Sequence, residues 1–171
     1  MADKTETPLV EIEDLSIRFP GRKGMTTAVS GVSFSMGRER LAIVGESGSG
    51  KSISTRALMG LLPKTAEVNA TRMSFDGIDL RGMSERGFQK LRGKRIAMIL
   101  QDPKASLNPI ETAGAQIVES CRLHRGDNRR EARERALDLL NAVSIRDPKR
   151  VFDLYPHEVS GGMGQRIMIA M

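Results

Sequence analysis

Gly45-Glu46-Ser47-Gly48-Ser49-Gly50-Lys51-Ser52 fits the pattern Gly-x-x-x-x-Gly-Lys-[Ser/Thr], and each residue type in it has a chemical use. Glycines let the backbone turn tightly and bring N–H groups close to an anion. A helix opening just beyond them adds the positive end of its dipole at the same point, which is where a polyphosphate sits. Lys51 would reach the β- and γ-phosphates. The Ser52 hydroxyl would be a ligand of Mg2+, with the nucleotide and water holding the rest of the ion's shell. The competing reading is a glycine-rich turn that merely closes a βα unit, with Lys51 solvated. The apolar stretch Arg40-Leu41-Ala42-Ile43-Val44 reads as a short buried strand directly ahead of the loop. A strand turning through glycines into a helix is the context that favours a nucleotide.

The elements that must position this loop follow from periodicity. Val10 to Phe19 alternates apolar and polar and stops at Pro20-Gly21, and Ala28 to Met36 alternates again. This predicts two antiparallel strands joined by a basic, glycine-bearing loop. A helix should open at Ser52, run through Ala57, Leu58, Met59, Leu61 and Leu62, and end at Pro63. Asp76-Gly77 between Met73-Ser74-Phe75 and Ile78-Asp79-Leu80 signals a hairpin. Arg95 to Leu100 is nearly all apolar, as expected of a strand buried on both faces of a central sheet. Beyond it the period becomes helical: Ile117, Val118 and Cys121, then Ala132, Ala136, Leu139, Leu140 and Val143, with Asn128 or Asp127 as a cap. A helical insertion over about 110–156 follows, and Gly161 to Met171 suits one more helix running into the core.

Composition narrows the function classes. A chain of 171 residues has room for one domain or one domain with an insertion. Hydrophobic residues make up 39% of it and mean hydropathy is −0.30, with no apolar run near the length of a membrane span. Met1 to Pro8 is polar and charged, without the apolar core of a secretory signal, so a cytoplasmic location is expected. The single cysteine, Cys121, excludes an internal disulfide and reads as a helix residue. A net charge of +6 is compatible with nucleic acid, anionic lipid or triphosphate. Its main concentrations, Arg81 to Arg95 and Arg122 to Arg135, are mixed with Asp and Glu and contain one aromatic at most, Phe88. They read as solvated helical faces, and no nucleic-acid partner is expected.

Three further stretches carry a resemblance: Leu100-Gln101-Asp102-Pro103; Ser106-Leu107-Asn108-Pro109; and Tyr155-Pro156-His157-Glu158-Val159-Ser160-Gly161-Gly162-Met163-Gly164-Gln165-Arg166. Together with the phosphate loop, in this order, they resemble the nucleotide-binding subunit of an ATP-binding-cassette importer of the dipeptide, oligopeptide and nickel type. The resemblance implies an α/β fold: a P-loop NTPase core with an antiparallel β subdomain and a helical insertion, C-terminally truncated. It implies ATP and Mg2+ as cofactors, held by Gly45, Glu46, Ser47, Gly48, Ser49, Gly50, Lys51 and Ser52. Gln101 would be the residue that meets the magnesium ion or orients water, and Lys51 and Gln101 would be the catalytic pair. Ser160, Gly161 and Gly162 would offer N–H groups to the γ-phosphate on a second nucleotide-binding subunit, identical or merely similar. Val159 and Met163 stand where the family more often has Leu and Gln.

Phe19 lies where the family usually places an aromatic that stacks on adenine; as a strand-edge phenylalanine it also suits the core. The resemblance further implies membrane permease subunits as partners, engaged next to Gln101 to Pro109, and a place on the inner face of the membrane. The family continues past the signature helix into a strand ending in Asp-Glu, whereas here no carboxylate follows Ser160. The expectation is therefore that this chain alone binds Mg·ATP weakly and hydrolyses it negligibly. Two other classes compete: a soluble ATPase of the same superfamily acting on nucleic acid or ribosomes, and a non-catalytic interaction fragment.

Overall fold

The computed structural model describes residues 7–22, 24–100, 102 and 106–171, and these form two compact units that divide after Arg92. The first unit is built on an antiparallel sheet. β1 (Val10–Gly21) is its centre, pairing along its length with β2 (Gly24–Met36) on one edge. Its other edge is shared by β4 (Arg72–Phe75) near the start and β3 (Glu67–Asn69) further along, and β5 (Ile78–Asp79) closes a hairpin on β4. The hairpin turn is Asp76-Gly77, both in the left-handed region (φ 49° and 74°), as the sequence predicts.

The apolar pattern of β1 is not a simple alternation. Val10 and Ile12 are followed by Leu15 and Ile17, one step out of phase, yet all four are buried. A bulge reconciles them: Glu13 and Asp14 stand against Ser33 alone, with Asp14 at φ 53° and its N–H donating to Ser33 Oγ at 2.9 Å. The extra residue returns Leu15 and Ile17 to the face that Ile12 occupies.

α1 (Lys51–Leu58) packs against β2 and β4. It stops well before Pro63, which is a correction to the predicted end. The reason is tertiary: Gly60 is left-handed (φ 62°), and a Cβ there would lie 2.6 Å from the Phe88 ring of α2 (Glu85–Leu91). Arg92 fixes this junction, donating to Met59 O at 2.8 Å and Gly60 O at 3.1 Å while its guanidinium pairs with Glu85 and lies over Phe88.

Two predicted strands are corrected. Residues 41–46 make no ladder, and Leu41, Ile43 and Val44 are exposed, Val44 to 91%. Residues 97–100 make none either, and Ile99 and Leu100 are exposed. An apolar run becomes a strand only where a neighbour completes its hydrogen bonds. All ladders among the described residues belong to the antiparallel sheet, whose order gives neither run a partner.

The second unit is helical: α3 (Ala113–Arg125), α4 (Arg129–Ala142), α5 (Pro148–Phe152) and α6 (Gly161–Ala170). Thr112 caps α3, Gly126 ends it at φ 79°, and Asn128 with Glu131 forms a capping box on α4. Ala113, Ile117 and Cys121 on α3 face Ala132, Ala136 and Leu140 on α4 in one core, which also takes Leu107, Val159, Ile167 and Ala170. Burial raises the Cys121 thiol pKa, as suits an inert core cysteine. No helix is long and apolar enough to cross a membrane among the described residues.

Candidate phosphate-binding site

The loop over Gly45–Ser52 is local to the first unit, and its shape comes from alternating backbone handedness. Gly48 and Gly50 are left-handed (φ 84° and 88°), whereas Ser47 and Ser49 between and before them are not. Alternation of this kind turns successive N–H groups toward one concavity, a backbone nest for an anion. Gly50 is also the N-cap of α1, so the helix's first N–H groups, which have no acceptor one turn earlier, open at the same place. The glycine at 50 is required twice over. Besides its φ, a Cβ there would lie 2.8 Å from Val29 Cγ2 and 2.9 Å from Ala28 O on β2.

Lys51 closes the loop on itself. Its Nζ donates to Gly45 O at 2.7 Å, to Glu46 O at 2.5 Å and to Ser49 Oγ at 3.1 Å. These three bonds use all three ammonium donors, so an entering phosphate has to take over at least one of them. The ammonium is thereby held at the rim of the nest by the backbone that would cradle the anion. Ser52 follows it on the first turn of α1 and is exposed. Its hydroxyl suits a hard cation, and among the described residues no cluster of three or more His, Cys, Asp or Glu competes for one. A cation at Ser52 would draw its remaining ligands from nucleotide oxygens and water, and the residues present fit that division.

Phe19 is half-buried on β1, opposite Thr26 of β2. It belongs to the hairpin whose Ala28 and Val29 touch Gly50, and it is not a core residue in the sense that Leu15 and Ile17 are. Gln101 lies outside the described residues.

Ser160, Gly161 and Gly162 stand in the second unit. Ser160 is the N-cap of α6, accepting from Met163 N at 3.3 Å, and Gly161 and Gly162 are exposed with open space where a Cβ would be. Their N–H groups face outward at a helix N-terminus. Val159 is buried in the helical core and Met163 packs against it, which accounts for apolar residues at both positions. Beside them runs a cleft of about 580 Å3 lined by Arg146, Arg150 and Arg166. Arg166 donates to Val143 O at 3.0 Å and Ser144 O at 2.7 Å, tying the end of α4 to the signature helix.

One residue of consequence escapes the sequence reading. Gln116 sits buried on the apolar face of α3, accepting from Asn108 N at 2.9 Å and donating to Asn108 O at 3.1 Å and Glu111 O at 3.0 Å. With Leu107 inserted in the core, this clamp fixes the backbone around Asn108. A glutamine between Ala113 and Ile117 on an apolar stripe was the available signal. The basic stretches behave as solvated faces in part: Arg81 pairs with Asp79, Arg135 with Asp127 and Arg130 with Glu134.

The chain is 47% identical to a dipeptide transport ATP-binding protein of Escherichia coli over 164 residues, 95% of this chain and 50% of the relative. It is 44% identical to an oligopeptide transport ATP-binding protein of Bacillus subtilis, covering 96% of this chain and 47% of that one. A glutathione import ATP-binding protein of Pectobacterium atrosepticum is 47% identical over 97% of this chain and 28% of its own. The chain thus spans about half the length, or less, of these relatives. Among solved structures, the dimeric bacterial ABC transporter cassette MJ0796 matches with a TM-score of 0.73 at 23% identity, over 94% of this chain and 67% of that one, a likeness of fold alone. The family profile described as ABC transporter covers residues 29–171, phosphate loop and signature included, and the chain belongs to that family.

Proposed function

We propose that this chain is the nucleotide-binding part of a peptide importer, which couples ATP binding and hydrolysis to passage of a peptide through a membrane permease. The observation that carries the reading is the nest at Gly45–Ser52, with Lys51 held at its rim and the N-terminus of α1 behind it. Similarity to proteins named for dipeptide, oligopeptide and glutathione transport supports a peptide over nickel as the solute.

In this reading the backbone N–H groups of residues 45–52 bind the phosphates, Lys51 neutralises the charge that develops on the transferred group, and Ser52 holds Mg2+. Phe19 stacks on the adenine. Gln101 places water or metal, and Ser160 to Gly162 contact the γ-phosphate held by a second cassette, so that the closed pair persists only while that phosphate remains.

The test is equilibrium binding of a fluorescent ATP analogue with Mg2+ to the protein and to Lys51→Ala. Saturable binding that the substitution weakens at least about tenfold is expected, since it removes a charge-assisted contact. Equal binding by both proteins would overturn the phosphate-site assignment. Loss of peptide uptake in cells carrying Lys51→Ala then tests the importer reading separately.

A further inference from the structure

The cleft of about 580 Å3 beside α6 carries five charged side chains that the nucleotide chemistry does not use. Arg146 and Arg150 stand on either side of Asp147, the N-cap of α5, and Glu158 and Arg166 complete the set. The floor is apolar, formed by Ile145, Val151 and Leu154, the first two of them buried.

Opposite charges lining one cleft ordinarily pair, yet no two of these five form an ion pair among the described residues. Each acid is engaged by backbone instead: Asp147 Oδ1 accepts from Arg150 N at 3.1 Å, and Glu158 Oε2 accepts from Tyr155 N at 2.8 Å. Each keeps its other carboxylate oxygen without a hydrogen bond among the described residues. Arg166 commits Nη1 to Val143 O and Ser144 O, whereas the Arg146 and Arg150 guanidinium groups have no partner among the described residues.

Cations and anions held apart over one apolar floor are the complement of a zwitterion rather than of an anion. Asp147 and Glu158 repel a polyphosphate, and a lone carboxylate leaves both of them unanswered. A short peptide with free ends brings a carboxylate for Arg146 and Arg150, an ammonium for the two acids and apolar side chains for the floor. Two residues span at most about 7 Å, and the cleft is in the size range of small-ligand sites.

We propose that this cleft binds a short peptide with free amino and carboxyl ends, and that this peptide is the product of import acting back on the ATPase. Binding stands on the cleft's own residues, while the ligand's standing as imported product rests on the importer reading. Ser160 and Gly162 also line the cleft. A peptide there crowds the N-terminus of α6, which the γ-phosphate of a second cassette would need. By linkage each weakens the other, so accumulated product slows turnover.

Two measurements on the full-length protein test this. In the first, alanyl-phenylalanine is titrated by calorimetry, and saturable binding is expected. Acetylating its amino end or amidating its carboxyl end should weaken binding at least about tenfold, and Arg146→Gln/Arg150→Gln should do the same. Both arginines are exposed and unpaired, so the fold and ATP binding at residues 45–52 should persist in this variant. Equal binding of the doubly capped dipeptide, displacement of the dipeptide by inorganic phosphate at equal concentration, or indifference to the double substitution would each overturn the site.

In the second, ATP hydrolysis is followed as alanyl-phenylalanine is raised to saturation. The rate should fall at least about twofold, and the double variant should resist the effect. Binding with no change in rate overturns the feedback role. Peptide uptake by cells separates the two readings: uptake with no dipeptide binding sinks the cleft alone, whereas binding and inhibition in a protein whose loss leaves uptake intact sink the importer reading and keep the cleft.

Discussion

Replacing Gly50 with alanine separates the two demands the structure places on the phosphate loop. At φ 88° an alanine is in the left-handed region, which costs about 1–2 kcal/mol. Its Cβ would also lie 2.8 Å from Val29 Cγ2 and 2.9 Å from Ala28 O. The second of these is backbone in the β1–β2 hairpin, so no side-chain rotation relieves it, and overpacking adds about 1–3 kcal/mol. The sum, about 2–5 kcal/mol, acts against the conformation that aims the N–H groups. At about 1.4 kcal/mol per tenfold, ATP affinity should fall at least about thirtyfold. Gly48→Ala is the matched control. It has the same handedness (φ 84°) but no atom within 4 Å of a Cβ, so only the first cost applies and the loss should be about five- to thirtyfold. Calorimetric titration with Mg·ATP reads both, and circular dichroism verifies that the sheet and helices persist. Gly50→Ala binding as well as Gly48→Ala would refute the contact with β2, and undiminished binding by both would refute the nest.

Three other outcomes follow from described contacts. Arg81 donates to the Asp79 carboxylate through Nε and Nη2, and this pairing lowers the Asp79 pKa to about 2. The stabilisation is complete above the ordinary carboxylate pKa of about 3.9 and is lost as pH falls through the lowered value, so melting temperatures of the protein and Asp79→Asn should differ at pH 5 and converge near pH 2. A gap independent of pH would refute this. Gly114→Ala places a methyl group in the Phe152 ring and should destabilise the helical unit by about 1–3 kcal/mol in urea titrations, with Phe152→Leu restoring part of the loss; unchanged stability would show that the ring has room. Gln116→Leu leaves the Asn108 N–H and two carbonyls without their partner and should cost about 1–3 kcal/mol, read as faster amide exchange at Asn108; unaltered exchange would exclude the clamp.

The features legible in the sequence are those whose cause is local. The glycine turn ahead of α1, the Asp76-Gly77 hairpin and the Asn128 cap each depend on a few consecutive residues, and the structure has all three as conformations. The bulge at Asp14 is visible once Val10, Ile12, Leu15 and Ile17 are asked to share a face, although alternation alone does not reveal it. The early end of α1 is not legible, because it depends on Phe88 meeting Gly60 across the unit. Leu41 to Val44 and Arg95 to Leu100 have strand composition, but a strand also needs a neighbour, which no single segment specifies. Gln116 fails for the opposite reason. A polar side chain on an apolar stripe reads as a flaw in the pattern until its acceptors are seen.

Each compact unit is contiguous in the chain, and that has a consequence for how the protein is made. The ladders of the sheet join residues 10–79, and among the described residues the helical core draws on residues 107–170. A ribosome adds about 5–20 residues per second, whereas a hairpin forms in about 1–10 μs. The sheet unit is thus complete in sequence and free to fold on the nascent chain while the helices are still being translated. During those seconds the exposed apolar side chains of the first unit, Val44 the most exposed of them at 91%, stay open to association with other chains.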